Sequence, residues 1–302
     1  MENVLVFGHK NPDTDTICSS LAYAMYKHES GEKNVEAVRL GELNNETKYV
    51  FDYLGIQPQR IIDSIEDNQS VIMIDHNEFN QSVDNIENAQ ILEVIDHHRV
   101  DNFYTSQPLM MNLQPLGCSA TIIYNMMKAT GFIPNKVIAT LLCSAIVSDS
   151  LLFQSPTCTL VDQEVCLELA SIAGLDVNEY GMAMLKAGTD LSMYSASELI
   201  GIDSKTFDTQ DGQINVSQVN TVSVDEVLQN KDEIITALNA KKAEEGLSQC
   251  ILLITDIIKA DSTALIVGNE DKFAKKFNTE VVDNQAFLPG VLSRKKQIVP
   301  FL

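Results

Sequence analysis

None of the six cysteines (Cys18, Cys118, Cys143, Cys158, Cys166, Cys250) stands in a C-x-x-C pair. That spacing excludes a zinc knuckle, and their scatter through apolar segments excludes the disulfide framework of a small secreted domain. They read as small core residues in a reducing compartment. Basic residues are also scarce, with 21 Lys and Arg against 42 Asp and Glu and a formal net charge of -21. Bulk electrostatics therefore cannot hold a nucleic-acid backbone, and any phosphate substrate has to be drawn in by metal ions and a few placed cations. No apolar run reaches the roughly 18 residues of a membrane span. The N-terminus enters a strand at once, without a basic and apolar leader, so the expectation is a soluble, cytoplasmic chain with no membrane partner. G-x-S-x-G, G-x-x-x-x-G-K-[ST] and a G-x-G-x-x-G after the first strand are all missing. Acyl transfer, nucleotide-loop and dinucleotide chemistry thus lack their parts.

What is present is a chain of 302 residues, 45% apolar, about two domains long by the usual size prior. Strand and helix patterns alternate along its first half. Val4–Phe7 reads as a buried strand, 14–29 as a helix, 35–38 as a short strand and 46–54 as a helix ended by Gly55. Two more apolar strands, 70–75 and 90–96, each end in an acidic residue followed by histidine, and helices are expected over 119–130, 135–147, 161–173 and 177–186. Such alternation implies a parallel sheet covered on both faces, with ligands bound outside the carboxyl ends of the strands.

Small and polar residues over 187–192 read as a linker, which places domains at 1–187 and 195–302 with 188–194 between them. In the second domain, Asp211-Gly212 is a hairpin-type signal before an alternating strand over 213–221; strands are expected at 249–258 and 263–267, a charged helix at 224–245 and a short helix at 271–277. This reads as a smaller α/β domain with a mixed sheet. Its Pro289-Gly290 turn is followed by Ser293-Arg294-Lys295-Lys296-Gln297, the one dense basic cluster in the chain, and Ile298-Val299 after it reads as strand.

Chemistry concentrates at the strand ends of the first domain. His9, Asp13 and Asp15 fall within seven residues after the first strand; Asp75 and Asp96-His97-His98 follow two others, and Asp149 lies at the end of a helix. Imidazole and carboxylate suit divalent ions of the manganese, zinc and magnesium range, and carboxylates this close repel unless a cation sits among them. A helix cap accounts for Asp13 alone, not for three such residues together. Six ligands (His9, Asp13, Asp15, Asp75, His97, Asp149) are too many for one tetrahedral zinc but suit two ions sharing a carboxylate and a water. Paired ions can turn that water into hydroxide at neutral pH and steady an in-line displacement at phosphorus. Lys205, Arg294 and Lys295 would neutralise the phosphoryl and leaving groups, placing the active site in the cleft between domains.

Gly8-His9-x-Asn11-Pro12-Asp13-Thr14-Asp15, Asp75, Asp96-His97-His98, Asp149 and Ser293-Arg294-Lys295-Lys296-Gln297 together resemble the manganese-dependent (family II) inorganic pyrophosphatases of the DHH phosphoesterase superfamily. The resemblance runs through both domains in order. It implies a DHH domain followed by a DHHA2-like domain, and hydrolysis of pyrophosphate to two phosphates without a phosphoenzyme. His9, Asp13, Asp15, Asp75, His97 and Asp149 would hold two manganese ions, with cobalt as a substitute and Asp75 bridging. Magnesium would accompany the substrate. His98 would bind or protonate near the leaving group, and Lys205, Arg294 and Lys295 would grip the phosphates. A homodimer paired through the first domain is implied, and the spacing leaves no room for a nucleotide-sensing insertion. Asp96 reads as accepting a hydrogen bond from a metal-bound histidine. His76 reads as a surface or loop histidine, His28 as a helix-end one and Lys296 as solvated. The competing readings are a short-chain polyphosphatase or nucleotide phosphoesterase of the same superfamily, and a metal-binding regulator without turnover.

Overall fold

Gly8 closes the first strand where a side chain has no room, since a β-carbon there would collide with Thr16 of the following helix. The residues before it, Val4–Phe7 (β1), are buried at Leu5, Val6 and Phe7. After it Asp13, in extended backbone, accepts the Thr16 amide at 2.9 Å and caps α1, Thr14–Glu29. The first turn of α1 is thereby held against the end of β1. The computed structural model describes residues 3–210 and 212–302, and the chain divides into two compact units after Gly188. Of the Asp211-Gly212 turn signal, Asp211 lies outside the described residues.

The first unit continues with β2 (Val35–Ala37), α2 (Asn45–Leu54), β3 (Ser70–Ile74), β4 (Gln90–Asp96), β5 (Met110–Leu113), α3 (Ser119–Ala129), α4 (Lys136–Ser150), α5 (Leu160–Ala173) and α6 (Val177–Gly188). Local chemistry sets several boundaries. Asn44 accepts the Thr47 amide at 2.7 Å to start α2, and Gly55 in the left-handed region stops it. The five strands form one parallel sheet in the order β2-β1-β3-β4-β5. Alternate residues Leu5, Phe7, Val71, Met73 and Val94 join one apolar cluster with Val38 and Val83. The register pairs Phe7 with Met73 and Ile74 with Ile95, so the residues after β1, β3 and β4 leave the sheet along one rim. At four residues, β5 is too short for an alternation to be read from sequence.

The second unit holds α7 (Ala196–Leu199), β6 (Lys205–Thr209), β7 (Gly212–Thr221), α8 (Val224–Leu228), α9 (Lys231–Glu244), β8 (Gln249–Asp256), β9 (Asp261–Val267), α10 (Glu270–Phe277) and β10 (Gln285–Leu288). Its sheet runs β10-β9-β8-β7-β6, parallel between β7 and β8 and antiparallel elsewhere. One face packs on Ile234 and Leu238 of α9, the other on Phe273 and Ile298.

Two expectations need correction. The charged helix at 224–245 is two helices, because Asn230, between α8 and α9, leaves the helical region (φ −101°, ψ 20°). Ile298-Val299 is not a strand. Arg294–Ile298 forms a π-helical turn followed by a 3₁₀ turn at Val299–Phe301. Gln297 explains the difference, since its Oε1 accepts the Leu292 and Ser293 amides while its Nε2 donates to the Gly290 carbonyl, folding the segment on itself.

Candidate active site

Five elements deliver six donors to one place. His9 and Asp13 come from the loop after β1, Asp15 from the first turn of α1, Asp75 from the end of β3, His97 from the end of β4 and Asp149 from the last turn of α4. His9 Nε2 lies 3.4 Å from Asp13 Oδ2 and 3.5 Å from Asp75 Oδ2. On the other side His97 Nε2 lies 3.3 Å from Asp75 Oδ1 and 3.7 Å from Asp149 Oδ2. His9, Asp13 and Asp75 form one potential metal-binding group, and Asp15, His97 and Asp149 another. Asp75 thus turns one oxygen toward each histidine.

The orientations are fixed from behind. Nδ1 of His9 is 2.8 Å from the Lys10 carbonyl and Nδ1 of His97 is 3.0 Å from the Leu116 carbonyl. Each Nδ1–H donates outward, leaving Nε2 to face the site, the arrangement usual for metal-binding imidazoles. Asp75 accepts Thr16 Oγ1 at 2.7 Å and Ser119 Oγ at 3.0 Å, and Asp15 accepts the Ser119 amide at 2.8 Å together with Ser19 Oγ. Ser119 opens α3, so the positive end of that helix faces the carboxylates. Asp75 itself adopts φ +62°, and Leu151, Leu152 and Phe153 after Asp149 take three successive positive φ values. Left-handed backbone costs non-glycine residues roughly 1–2 kcal/mol each, and strain of this kind gathers at functional sites.

Electrostatics mark a site built for cations. Asp75 is fully buried, which alone would raise its pKa, yet hydrogen bonds from His9 and His97 outweigh burial and hold it well below the carboxylate range. Burial and the neighbouring Asp75 push Asp15 up, and burial with Asp15 and Asp75 pushes Asp149 up. Burial would lower both histidines, but carboxylate partners raise His9 to about 11 and His97 to about 9. Protons here do the work that a metal would do between crowded anions. The mixed imidazole and carboxylate donors, with a shared carboxylate between two groups, fit manganese. The rim is open where Asp13 is 46% and His98 54% exposed.

Several residues differ from their expected roles. Asp96 accepts from His98, through its amide at 3.0 Å and Nδ1 at 2.9 Å, rather than from His97, because the turn after β4 folds His98 back over Asp96. His76 is buried, not on the surface. It follows Asp75 off the inner strand β3, its Nδ1 lies 3.0 Å from the Ile74 carbonyl, Nε2 has no partner among the described residues, and burial lowers its pKa to about 4. His28 does end a helix, next to the Val35 carbonyl. In the second unit Lys205 on β6 and Lys295 and Lys296 on the π-turn are exposed. Arg294 is buried and already engaged, with Nη2 2.8 Å from Asp203 and Nη1 3.2 Å from the Val216 carbonyl. Thr16 and Ser119 are not legible in the sequence, since a hydroxyl at a helix start looks like capping, and Ser19, one turn further into α1, carries no pattern of its own.

Family comparison finds the DHH family, N-terminal domain, over residues 3–146 and the DHHA2 domain over residues 182–302. The manganese-dependent inorganic pyrophosphatase of Bacillus subtilis (strain 168) is 48% identical over 304 residues, spanning 100% of this chain and 98% of that protein. Among solved structures, a Methanococcus jannaschii protein provisionally assigned as a family II inorganic pyrophosphatase matches with TM-score 0.64 and 37% identity, over 99% of this chain and 97% of the other. An exopolyphosphatase-related protein from Bacteroides fragilis, 15% identical with TM-score 0.53 over 98% and 89% of the two chains, shares the fold.

Proposed function

Because the chain belongs to the DHH family, and within it to the manganese-dependent inorganic pyrophosphatases, we propose that it hydrolyses pyrophosphate to two orthophosphates at the donor rim of its first unit. One observation supports this above the others. Asp75 presents Oδ2 to His9 at 3.5 Å and Oδ1 to His97 at 3.3 Å, so a single carboxylate serves two donor groups. His9, Asp13 and Asp75 would hold one manganese ion and Asp15, His97 and Asp149 a second, with cobalt as a substitute and magnesium arriving with the substrate. Bound there, the pair supplies positive charge that makes water a nucleophile at neutral pH and balances the phosphate oxygens.

The chain's own residues do the rest. His9 and His97, tied to backbone carbonyls, keep their lone pairs on the site. His98 stands exposed beside it, and the Asp96 carboxylate at its Nδ1 raises its pKa above the ordinary histidine value, so it can hold a proton at Nε2 for the departing phosphate. Lys205 and Lys295, exposed cations of the second unit, and Arg294 counter the charge of the substrate. Arg294 would have to loosen its hold on Asp203 to take a phosphate. The six cysteines are free thiols, which suits a cytoplasmic home.

Strand β5 ends the first sheet with no neighbour on its outer side among the described residues, and its Met110 and Met111 are exposed. An open strand edge with apolar side chains invites pairing, and a second copy related by a twofold axis would cover it, giving a homodimer.

Phosphate release from pyrophosphate, tripolyphosphate, a dinucleotide and p-nitrophenyl phosphate, measured after chelation and again after restoring manganese with magnesium, tests the activity. Pyrophosphate should be turned over fastest and only with metal. Faster turnover of the dinucleotide would move the assignment to a phosphoesterase.

A further inference from the structure

His98 stands in irregular backbone just past β4 with more than half its side chain exposed. No regular structure holds it, yet the proposed chemistry requires its Nε2 to point consistently at the rim. The restraint is traceable to one buried side chain. Asn77 is 1% exposed and Asp96 is fully buried. Asn77 Nδ2 donates to Asp96 Oδ2 at 2.6 Å and to the Arg99 carbonyl at 2.8 Å, while Asn77 Oδ1 accepts the Asp101 amide at 3.1 Å. One amide group therefore grips Asp96 and the segment just beyond His98 at two points. Both its N–H groups and its oxygen are engaged, which is nearly the full capacity of asparagine.

We propose that Asn77 is a positioning residue for His98, acting through Asp96 and the 99–101 segment. The inference rests on the reading that His98 works on the substrate. With Oδ2 fixed by Asn77, the Asp96 carboxylate cannot rotate, and Oδ1 stays turned to the His98 amide at 3.0 Å and Nδ1 at 2.9 Å. An ionised Oδ1 accepts, so Nδ1 carries the hydrogen and Nε2 is the nitrogen left to the rim. A carboxylate that sets the tautomer and direction of a working imidazole is a device found on many unrelated folds. Here an amide in turn sets the direction of the carboxylate. Without it, Asp96 Oδ2 would be a buried acceptor lacking its partner, a costly condition relieved by turning the carboxylate or moving the loop, and either change releases His98.

The test compares the manganese-loaded parent with Asn77→Ala, Asn77→Asp, His98→Gln and the two double variants, measuring kcat, KM for pyrophosphate, manganese per subunit and the thermal midpoint. Asn77→Asp keeps the side-chain size but removes both donated hydrogens, so it serves if the alanine variant does not fold. We expect each Asn77 variant to lose roughly 10–100-fold in kcat, the scale of orienting partners around metal sites, with manganese content and KM unchanged. In the His98→Gln background the same replacements should change kcat by less than about twofold, because residues acting through one another are not additive. Losses that multiply in the double variants would overturn the proposal, as would an activity loss that only tracks lost manganese. A fully active Asn77 variant beside an impaired His98→Gln would overturn it while leaving the His98 role standing. A fully active His98→Gln would remove that role and the proposal with it.

Discussion

Replacing Asp15 by asparagine should stabilise the metal-free protein while weakening its hold on manganese. Asp15 is fully buried, and burial together with the charge of Asp75 raises its pKa from 3.8 to about 7. An acid whose folded-state pKa is raised favours folding below its unfolded value and loses that contribution as pH climbs through the folded value. From pH 4 to 7 the folded chain therefore takes on the cost of ionising a buried carboxyl. The shift of roughly 3 units, at about 1.4 kcal/mol per unit, sets an upper bound of about 4 kcal/mol. Repulsion is shared with Asp75 and Asp149, so about half, ~2 kcal/mol, is a fair share for Asp15 alone. Asparagine fits the same space, since its oxygen can accept the Ser119 amide and its nitrogen can donate to Ser19 Oγ, the present partners of the carboxylate. At 2–4 °C per kcal/mol for a unit of this size, the melting temperature should rise by roughly 4–8 °C. Differential scanning calorimetry of chelator-treated parent and variant should show the gain at pH 8 and not at pH 4, and added manganese should stabilise the parent more than the variant. A lower melting temperature for the metal-free variant at pH 8, or a gain independent of pH, would refute the reasoning.

Manganese binding at pH 7.5 should release at least two protons per subunit, since carboxylate partners keep His9 (about 11) and His97 (about 9) protonated in the metal-free protein, Asp149 and Asp15 are pushed up as well, and metal ligands must give up their protons; calorimetry in two buffers of different ionisation enthalpy counts them, and no release would contradict the assigned ligands. Apparent manganese affinity should accordingly strengthen from pH 6 to 8, as followed by equilibrium dialysis. Gly8→Ala should destabilise the first unit by about 1–3 kcal/mol in denaturant unfolding and weaken manganese binding, because the new β-carbon displaces Thr16, which donates to Asp75. Lys295→Ala should cut kcat/KM for pyrophosphate by roughly 10-fold or more with manganese content unchanged; lost metal would mean that Lys295 supports the fold rather than the substrate.

Much of this was legible in the sequence because the donors follow strands. An apolar run ending in Asp75 or Asp96-His97-His98 identifies both the strand and the side chain at its end, and parallel topology then brings those ends together. Asp149 was legible as the end of a long buried helix. The second layer was not. Thr16 and Ser119 are hydroxyls at helix starts, where capping explains them equally well, and Asn77 and His76 lie in a polar stretch whose burial depends on the loops around it. Short strands such as β5 and β10 carry too few residues for alternation to stand out. Ile298-Val299 reads as strand because both residues are β-branched, whereas the shape of this segment is set by the side chain of Gln297 bonding back to 290–293.

The register of the first sheet has a consequence for what can change around it. β1, β3 and β4 lie side by side, and neighbouring strands are held about 4.8 Å apart by backbone hydrogen bonds that no side chain can renegotiate. His9, Asp75 and His97 step off three consecutive rungs of that ladder, so the interval between the two donor groups is gauged by the peptide backbone. Loops can lengthen and the second unit can diverge without resetting the gauge. Selection for a different phosphate compound can therefore act on the cations of the second unit and on the exposed His98 while the spacing at the rim is inherited intact.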